Sequence, residues 1–251
     1  MEPTADDLEF TGSYFRYTAP VETCSYLPEE RASLTYRAYF ELSPDRLEEL
    51  ISRGWRRFTS FVFRPACEGC QKCVSIRVPV ASFQASKSQR RNWKRNQHIH
   101  WELQPASVTQ AHVQLYNLWH ANRSEERGWR DRTLTPETYY ENFLAGDFPS
   151  LHDLLYFEGD RLVGVGLVDV LAHALSSVYF YYHPDWAPSG PGTFSALCEL
   201  EYARQQGLEH VYFGYWIAQC PSMAYKNRFG PYEILEGFPS DDEAPRWLAG
   251  N

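Results

Sequence analysis

The segment 63–77, FRPACEGCQKCVSIR, restricts the folds open to this chain more than any other. It sets Cys67, Cys70 and Cys73 at a C-x2-C-x2-C spacing between two runs that read as strands, WRRFTSFVF and CVSIRVPV. In the second run Val74, Ile76, Val78 and Val80 alternate with Ser75, Arg77 and Pro79, the period of a strand. A tight turn between strands can aim three thiolates at one point, as a tetrahedral metal or a cluster requires, and Cys24 is the obvious fourth ligand. Cys198 and Cys220 lie much later, in segments that read as buried elements. Four thiolates suit zinc and an iron–sulfur cluster alike, so the choice between them stays open. The bland alternative is three reduced cysteines in a loop. A saturated four-cysteine site has no open coordination position, which makes it structural or redox-sensing and puts bond-making elsewhere.

Cysteine usage also bears on compartment. Six cysteines in 251 residues, three of them crowded together, fit a reducing cytoplasm with a metal site better than a disulfide framework. The opening MEPTADDLEF is acidic and polar, unlike a secretory signal or a transit peptide. No segment approaches about eighteen uninterrupted apolar residues, so no membrane span is expected. The formal net charge of -8 argues against a polyanion partner only on average. Between 69 and 101 there is no Asp or Glu, while Lys72, Arg77, Lys87, Arg90, Arg91, Lys94 and Arg95 all fall there. One concentrated basic segment can present a phosphate-binding face on a chain that is acidic elsewhere.

Along the chain, Ser43, Pro44 and Gly54 frame a short helix. The stretch SKSQRRNWKRNQ reads as a loop and a short basic helix, with Trp93 placed to stack on a base; a solvated charged face is the alternative. Helices follow at 107–127, with Ser107 and Gln110 as a capping box, and at 135–144. Then DLLYFEGDRLVGVGLVDVLAHALSSVYFYYHPDW reads as three consecutive antiparallel strands. Ser189-Gly190-Pro191-Gly192-Thr193 leads into the amphipathic helix TFSALCELEYARQQG, and HVYFGYWI is a returning strand. This is the order of an N-acetyltransferase-like (GNAT) acyltransferase. The fold expected is therefore α+β, with a cysteine-bearing mixed N-terminal domain over 1–101 and a GNAT-like core over 102–251.

Two stretches, CSYLPEERASLTYRAYF through SQRRNWKRN and YFYYHPDW through GYWIAQCPSMAYKNRF, resemble the aminoacyl-tRNA-protein transferases of the N-degron pathway. The pattern GYWI-x2-C-x2-M-x-YK-x-RF, residues 214–229, is the most specific part, and the bacterial leucyltransferase branch is the most similar. The resemblance implies transfer of an aminoacyl group, leucine or alternatively arginine, from tRNA to the α-amine of proteins beginning with Asp or Glu, which marks them for degradation. It implies a cytoplasmic enzyme, a monomer, without membrane partner and without CoA. Two positions depart from the family: Tyr182-His183-Pro184 stands where Tyr-Asp-Pro is usual, and GPGT where SLGT is typical.

Aminolysis of an activated ester needs positioning, a deprotonated amine and stabilisation of the oxyanion, and no covalent intermediate. To select an acidic N-terminus the expected cations are Lys226 and Arg228, with Arg64 and Arg77 as second candidates that read equally well as strand-end surface charges. Tyr181 and Tyr225 are expected to line the substrate cleft, and His183 or Asp185 to accept the amine proton, although both also read as turn residues. Arg90, Arg91, Lys94 and Arg95 would contact tRNA phosphates, while Gly190, Gly192 and Thr193 would let the acceptor end approach a helix N-terminus. The rival is an acyl-CoA-dependent N-acetyltransferase, weakened because APSGPG carries Ala187 where the pyrophosphate loop of that class has a cation or amide.

Overall fold

The computed structural model describes residues 9–128, 130, 132–146 and 148–250. The N-terminal part begins with β1 (Glu9–Phe10) and β2 (Tyr14–Thr18), then a two-stranded ribbon of β3 (Glu22–Thr23) and β4 (Arg31–Ala32), then β5 (Leu34–Tyr39). Helix α1 (Pro44–Ser52) follows, with Ser43 Oγ accepting from the amide of Arg46 and Pro44 in the first turn, as the local residues dictate. Strands β6 (Arg56–Phe58) and β7 (Phe61–Pro65) close a five-stranded antiparallel sheet in the order β1-β2-β5-β7-β6. Leu47, Leu50 and Ile51 of α1 cover it together with Trp55 and Val62.

After the cysteine turn, β8 (Val74–Pro79) leads to α2 (Lys87–Arg95), the expected basic helix. Ser86 caps α2, and the Gln89 side chain reaches back to the Ser86 amide. Then come β9 (Ile99–Pro105), α3 (Gln110–Arg127) and α4 (Pro136–Phe143), of which α3 departs from expectation at its start. The cap is Thr109, accepting from the His112 amide, because Ser107 is held instead by Asp153, whose Oδ2 accepts from the Ser107 amide at 2.8 Å.

The meander is β10 (Leu151–Glu158), β11 (Arg161–Val170) and β12 (Ala174–Tyr182), and α5 (Pro191–Gln206) carries the chain back to β13 (His210–Trp216). A short helix α6 (Pro221–Ala224) and strands β14 (Glu233–Leu235) and β15 (Trp247–Ala249) finish the chain. The large sheet runs β15-β14-β8-β13-β12-β11-β10-β9. All its ladders are antiparallel except β12 with β13, the expected returning strand. α5 packs on one face of this sheet, through Leu197, Leu200 and Ala203 against Ile76, Val168 and Val211. α3 and α4 cover the other, through Tyr116, Trp119, Tyr139 and Phe143 against Leu155, Val165 and Tyr181. These layers and the strand order are those of the GNAT-like α+β fold. β8 lies on the N-terminal side of the expected boundary at 101 and 102, yet it sits inside the large sheet between β13 and β14. β9, β14 and β15 extend the sheet beyond the strands read from the sequence.

Two features of this sheet create a site. β12 and β13 pair at only three positions, Ala174 with His210, Leu175 with Val211 and Ser176 with Tyr212, so residues 177–180 run on without a β13 partner. A bulge in β13 places Gly214 at φ +77, and a side chain there would meet the Arg56 guanidinium at 2.9 Å. Beside Arg56, Arg57 points the other way and donates to Asp169 of β11 at 2.9 and 3.0 Å, both side chains fully buried. Ser150 Oγ donates to the same carboxylate at 2.9 Å. This pair ties the small sheet to the large one. Asp169→Ala would strand the guanidinium in the interior and should cost about 3–5 kcal/mol of folding stability. Urea denaturation measures this, and a loss below about 1 kcal/mol would mean that the pair does not join the sheets.

Candidate active site

The gap between β12 and β13 is a cavity of about 220 Å³ lined by Tyr26, Arg56, residues 177–180, Ser195, Glu199, Tyr215, Tyr225 and Lys226, among others. Each charged group arrives by a different route. Arg56 comes from β6, passing where Gly214 lacks a side chain, and its Nη1 donates to Ser176 Oγ at 3.1 Å and its Nη2 to the Ser177 carbonyl. Lys226 follows α6, and its Nζ donates to the Tyr215 carbonyl at 2.8 Å. Glu199 lies on the face of α5 that meets the sheet and is 5% exposed. Ser177 Oγ donates to it, Ser195 Oγ stands at 3.5 Å, and Tyr156 donates in turn to Ser195 Oγ at 2.9 Å.

Burial governs the electrostatics here. It pushes Lys226 down to about 7, with Arg56 adding to the effect, and lowers the Arg56 guanidinium from its ordinary value. It raises Glu199 to about 7 against the opposing hydrogen bonds of Ser177 and Ser195. Among the described residues neither Arg56 nor Lys226 has a carboxylate within ion-pair distance. Two enclosed cations face one buried carboxyl, and the arrangement favours an incoming anion.

Gly192 and Tyr225 also line a second, larger cavity of about 640 Å³. Its walls include Arg91 and Arg95 of α2, Gly190, Gly192 and Thr193 at the start of α5, and Arg228. No side chain caps α5, so the first amides of the helix face this space with the positive end of its dipole. Asn92 clamps the glycine loop, donating to the carbonyls of Ser189 and Gly190 at 2.9 and 3.0 Å. Gly190 has φ +70, and a side chain on it would strike Asn92 at 2.8 Å. The basic helix and the glycine loop, separate in the sequence, thus line one cavity.

Other expected residues stand elsewhere. Arg90 and Lys94 flank the opposite side of α2, in a groove of about 410 Å³ with Trp93, which packs on Phe194 with ring centroids 5.3 Å apart. Arg77 is paired to Glu233 at 2.7 Å and lies over Trp247, and Arg64 lies over Trp55 and donates to the Pro239 carbonyl at 2.9 Å. Tyr181 is buried among α3 and α4, with its hydroxyl 2.6 Å from that of Tyr139, so it faces the core and not the cleft. His183 and Asp185 form a surface cluster with Arg161 around a separate space of about 70 Å³. His183 Nδ1 accepts from the Asp185 amide at 3.2 Å, and Asp185 is 77% exposed. Neither lines the cavity that holds Arg56, Glu199 and Lys226. Arg56 and Glu199 are absent from the sequence-based set. Adjacent arginines in a strand, one of which must face inward, were the available signal for the first.

Two of the cysteines of the turn and arm pack behind the smaller cavity without lining it. Cys24 and Cys73 pack on Leu27, Ile217 and Cys220 beside Met223, and Met223 lines the cavity. Burial pushes the Cys73 thiol up to about 12, with Cys24, Cys67, Cys70 and Cys220 all near enough to add to the shift. Among the described residues, however, no group of three or more Cys, His, Asp or Glu side chains is disposed to hold a metal ion. Zinc or a cluster on Cys24, Cys67, Cys70 and Cys73 stays an expectation from their spacing.

Comparison with known proteins matches both parts of the chain. Residues 22–91 match the family described as arginine-tRNA-protein transferase, N terminus, and 111–236 match its C terminus. An aspartate/glutamate leucyltransferase of Helicobacter hepaticus is 38% identical over 90% of this chain and 94% of its own. Proteins of the same name from Campylobacter jejuni (34%, 86% of this chain and 90% of that one) and Halorhodospira halophila (35%, 85% and 91%) are also similar. Among solved structures, FemX has a TM-score of 0.43 at 8% identity, covering 80% of this chain and 79% of that one. L-PGS of Bacillus licheniformis has 0.44 at 11%, covering 62% and 50%. The fold assignment rests on the strand order, not on these scores. Matched in sequence order across both halves and by relatives of nearly full length, the chain belongs to the arginine-tRNA-protein transferase family, enzymes that move an aminoacyl group from tRNA to protein N-termini.

Proposed function

We propose that this enzyme transfers leucine from leucyl-tRNA to the α-amine of proteins that begin with Asp or Glu. The observation that carries the reading is the pair of enclosed, unpaired cations, Arg56 and Lys226, in the gap between β12 and β13. A carboxylate side chain is the ligand such a pair favours, and a neutral or cationic N-terminus would leave both charges desolvated without a partner. The relatives named for aspartate and glutamate support the same acceptor, and their name supports leucine as the donated residue.

The larger cavity suits the donor. Arg91, Arg95 and Arg228 and the amides of Gly192 and Thr193 would hold the phosphates of the tRNA acceptor end. Gly192 and Tyr225 border both spaces, so an ester entering from one side and an amine from the other meet there. The unpaired edge of β12 over 177–180 offers backbone donors to the oxyanion. No helix among the described residues is long and apolar enough to cross a membrane, and a tRNA-borne donor supports a cytoplasmic site of action.

The decisive assay offers purified protein leucyl-tRNA or arginyl-tRNA in parallel, with peptides beginning with Asp, Glu, Lys or Arg. Leucyl transfer to Asp and Glu alone is expected. Arginyl transfer would replace the donor, and acetylation from acetyl-CoA without tRNA would replace the reaction. Arg56→Ala and Lys226→Ala should each lower kcat/KM for an Asp-initiated peptide by about 30-fold or more, the scale of a truncated buried charge pair, with leucyl-tRNA affinity changed less than threefold. Equal damage to both substrates would count against the recognition role. Neutralising Arg91 and Arg95 together should weaken tRNA binding and flatten its salt dependence more than neutralising Arg90 and Lys94, which face away; filter binding across a salt series decides.

A further inference from the structure

We propose that Glu199 is a catalytic residue, the group that takes the proton from the attacking α-amine. The inference rests on the aminoacyl-transfer reading above and adds the proton path to it. Its geometry is unusual for a structural carboxylate. Glu199 sits on a helix whose consecutive residues Phe194, Ser195, Ala196, Leu197, Cys198, Glu199 and Leu200 are all buried, facing the open seam of the sheet. No cation lies within ion-pair distance of it among the described residues, so burial is not offset as it is for Asp169 with Arg57. Its partners are hydroxyls: Ser177 from β12 and Ser195 one helical turn back, the latter fixed by Tyr156 from β10. That network orients the carboxyl toward the same cavity as Arg56 and Lys226, where the acidic N-terminus is to be held.

The substrate arrives as an ammonium, and the Glu199 carboxylate accepts one of its protons. The freed lone pair forms the C–N bond to the ester carbon, and charge collects on the carbonyl oxygen. As that oxygen re-forms its double bond the C–O bond to the ribose breaks, the ribose oxygen takes the proton from Glu199, and the second amine proton leaves through the regenerated carboxylate to solvent. Ester and ammonium become amide, ribose hydroxyl and one released proton.

The titratable and charged groups facing Glu199 are Arg56 from β6, Lys226 and Tyr225 from the segment after α6, Tyr156 from β10, and Cys198 beside it. Since burial raises Glu199 to about 7, the carboxylate, the active form, is lost below that pH, and the rate with peptide saturating should climb through about 7; kcat/KM should fall again above it, because Lys226, held down to about 7 by burial, loses the proton it needs to hold the acidic side chain. Single-turnover leucyl transfer to an Asp-initiated peptide, followed from pH 5.5 to 9 as a titration series, tests it in wild type and variants. Glu199→Gln keeps the size and one accepting oxygen but no basic carboxylate, and should lower the rate about 10²- to 10³-fold near neutrality. The defect should shrink toward pH 9, because an α-amine with an ordinary pKa of about 8 then deprotonates unaided. Ser195→Ala removes a donor that favours the charged carboxyl, so its ascending limb should move to higher pH. Lys226→Arg, which cannot lose its proton, should keep the limb near 7 whatever its effect on KM.

A wild-type rate in the Gln variant, a defect constant with pH, an unmoved limb in Ser195→Ala, or a limb lost in Lys226→Arg each overturns the assignment. Should Glu199→Gln not fold, the Ser195→Ala and Lys226→Arg profiles decide alone. Absence of transfer by the wild type from any aminoacyl-tRNA would instead overturn the reaction on which the assignment stands.

Discussion

The buried pair between Arg57 of β6 and Asp169 of β11 is the contact on which the site depends. Among the described residues the small sheet makes no ladder with the large one, so the position of β6 over the gap is set by side chains, of which this pair is a fully buried one and the Tyr215 hydroxyl on the Gly54 carbonyl at 2.8 Å another. A pair of this kind adds little net stability over an apolar equivalent, but it fixes register strongly, because any other placement leaves a bare charge inside. Successive residues of a strand point to opposite sides, so fixing Arg57 also fixes Arg56. The bulge at Gly214 then provides the opening through which Arg56 enters the cavity.

This mechanical coupling explains the two-part chain. The GNAT-like core supplies the splayed strands, the uncapped helix and Glu199, while the N-terminal part supplies Arg56, Tyr26 and the basic helix α2. Neither part holds a complete site. β8 shows the same interdependence in the backbone, since it lies in the large sheet and carries the cysteine turn at its start. The cysteines themselves press Cys24 and Cys73 against the Ile217 end of the returning strand, so the turn supports the wall of the cavity.

Much of this was legible in the sequence, for reasons that can be stated. The α1 and α4 starts, the meander, the glycine loop and the returning strand are local patterns with local causes, and each formed where expected. The cap of α3 did not, because Ser107 is claimed by Asp153, a residue 46 positions away that no local rule sees. The cations divide the same way. Lys226, read from its motif, lines the cavity, whereas Arg64 and Arg77 lie over or pair with Trp55 and Glu233, partners that only the tertiary structure brings together. Tyr181 lies in the core, and strand alternation defines two faces without saying which of them is buried. Glu199 was invisible because an acidic residue in a helix of mixed pattern reads as solvent-facing until the helix is known to be buried on nearly every side.

The central claim is that Arg56 and Lys226 are kept unpaired for a carboxylate that the substrate brings. The most direct measurement is a crystal structure of the protein with a peptide beginning with Asp. The account requires the side-chain carboxylate within hydrogen-bond distance of both the Arg56 guanidinium and the Lys226 ammonium, with the α-amine turned toward Glu199. A carboxylate bound instead at Arg64, Arg77 or Arg161, with the two enclosed cations still facing an empty gap, would contradict it.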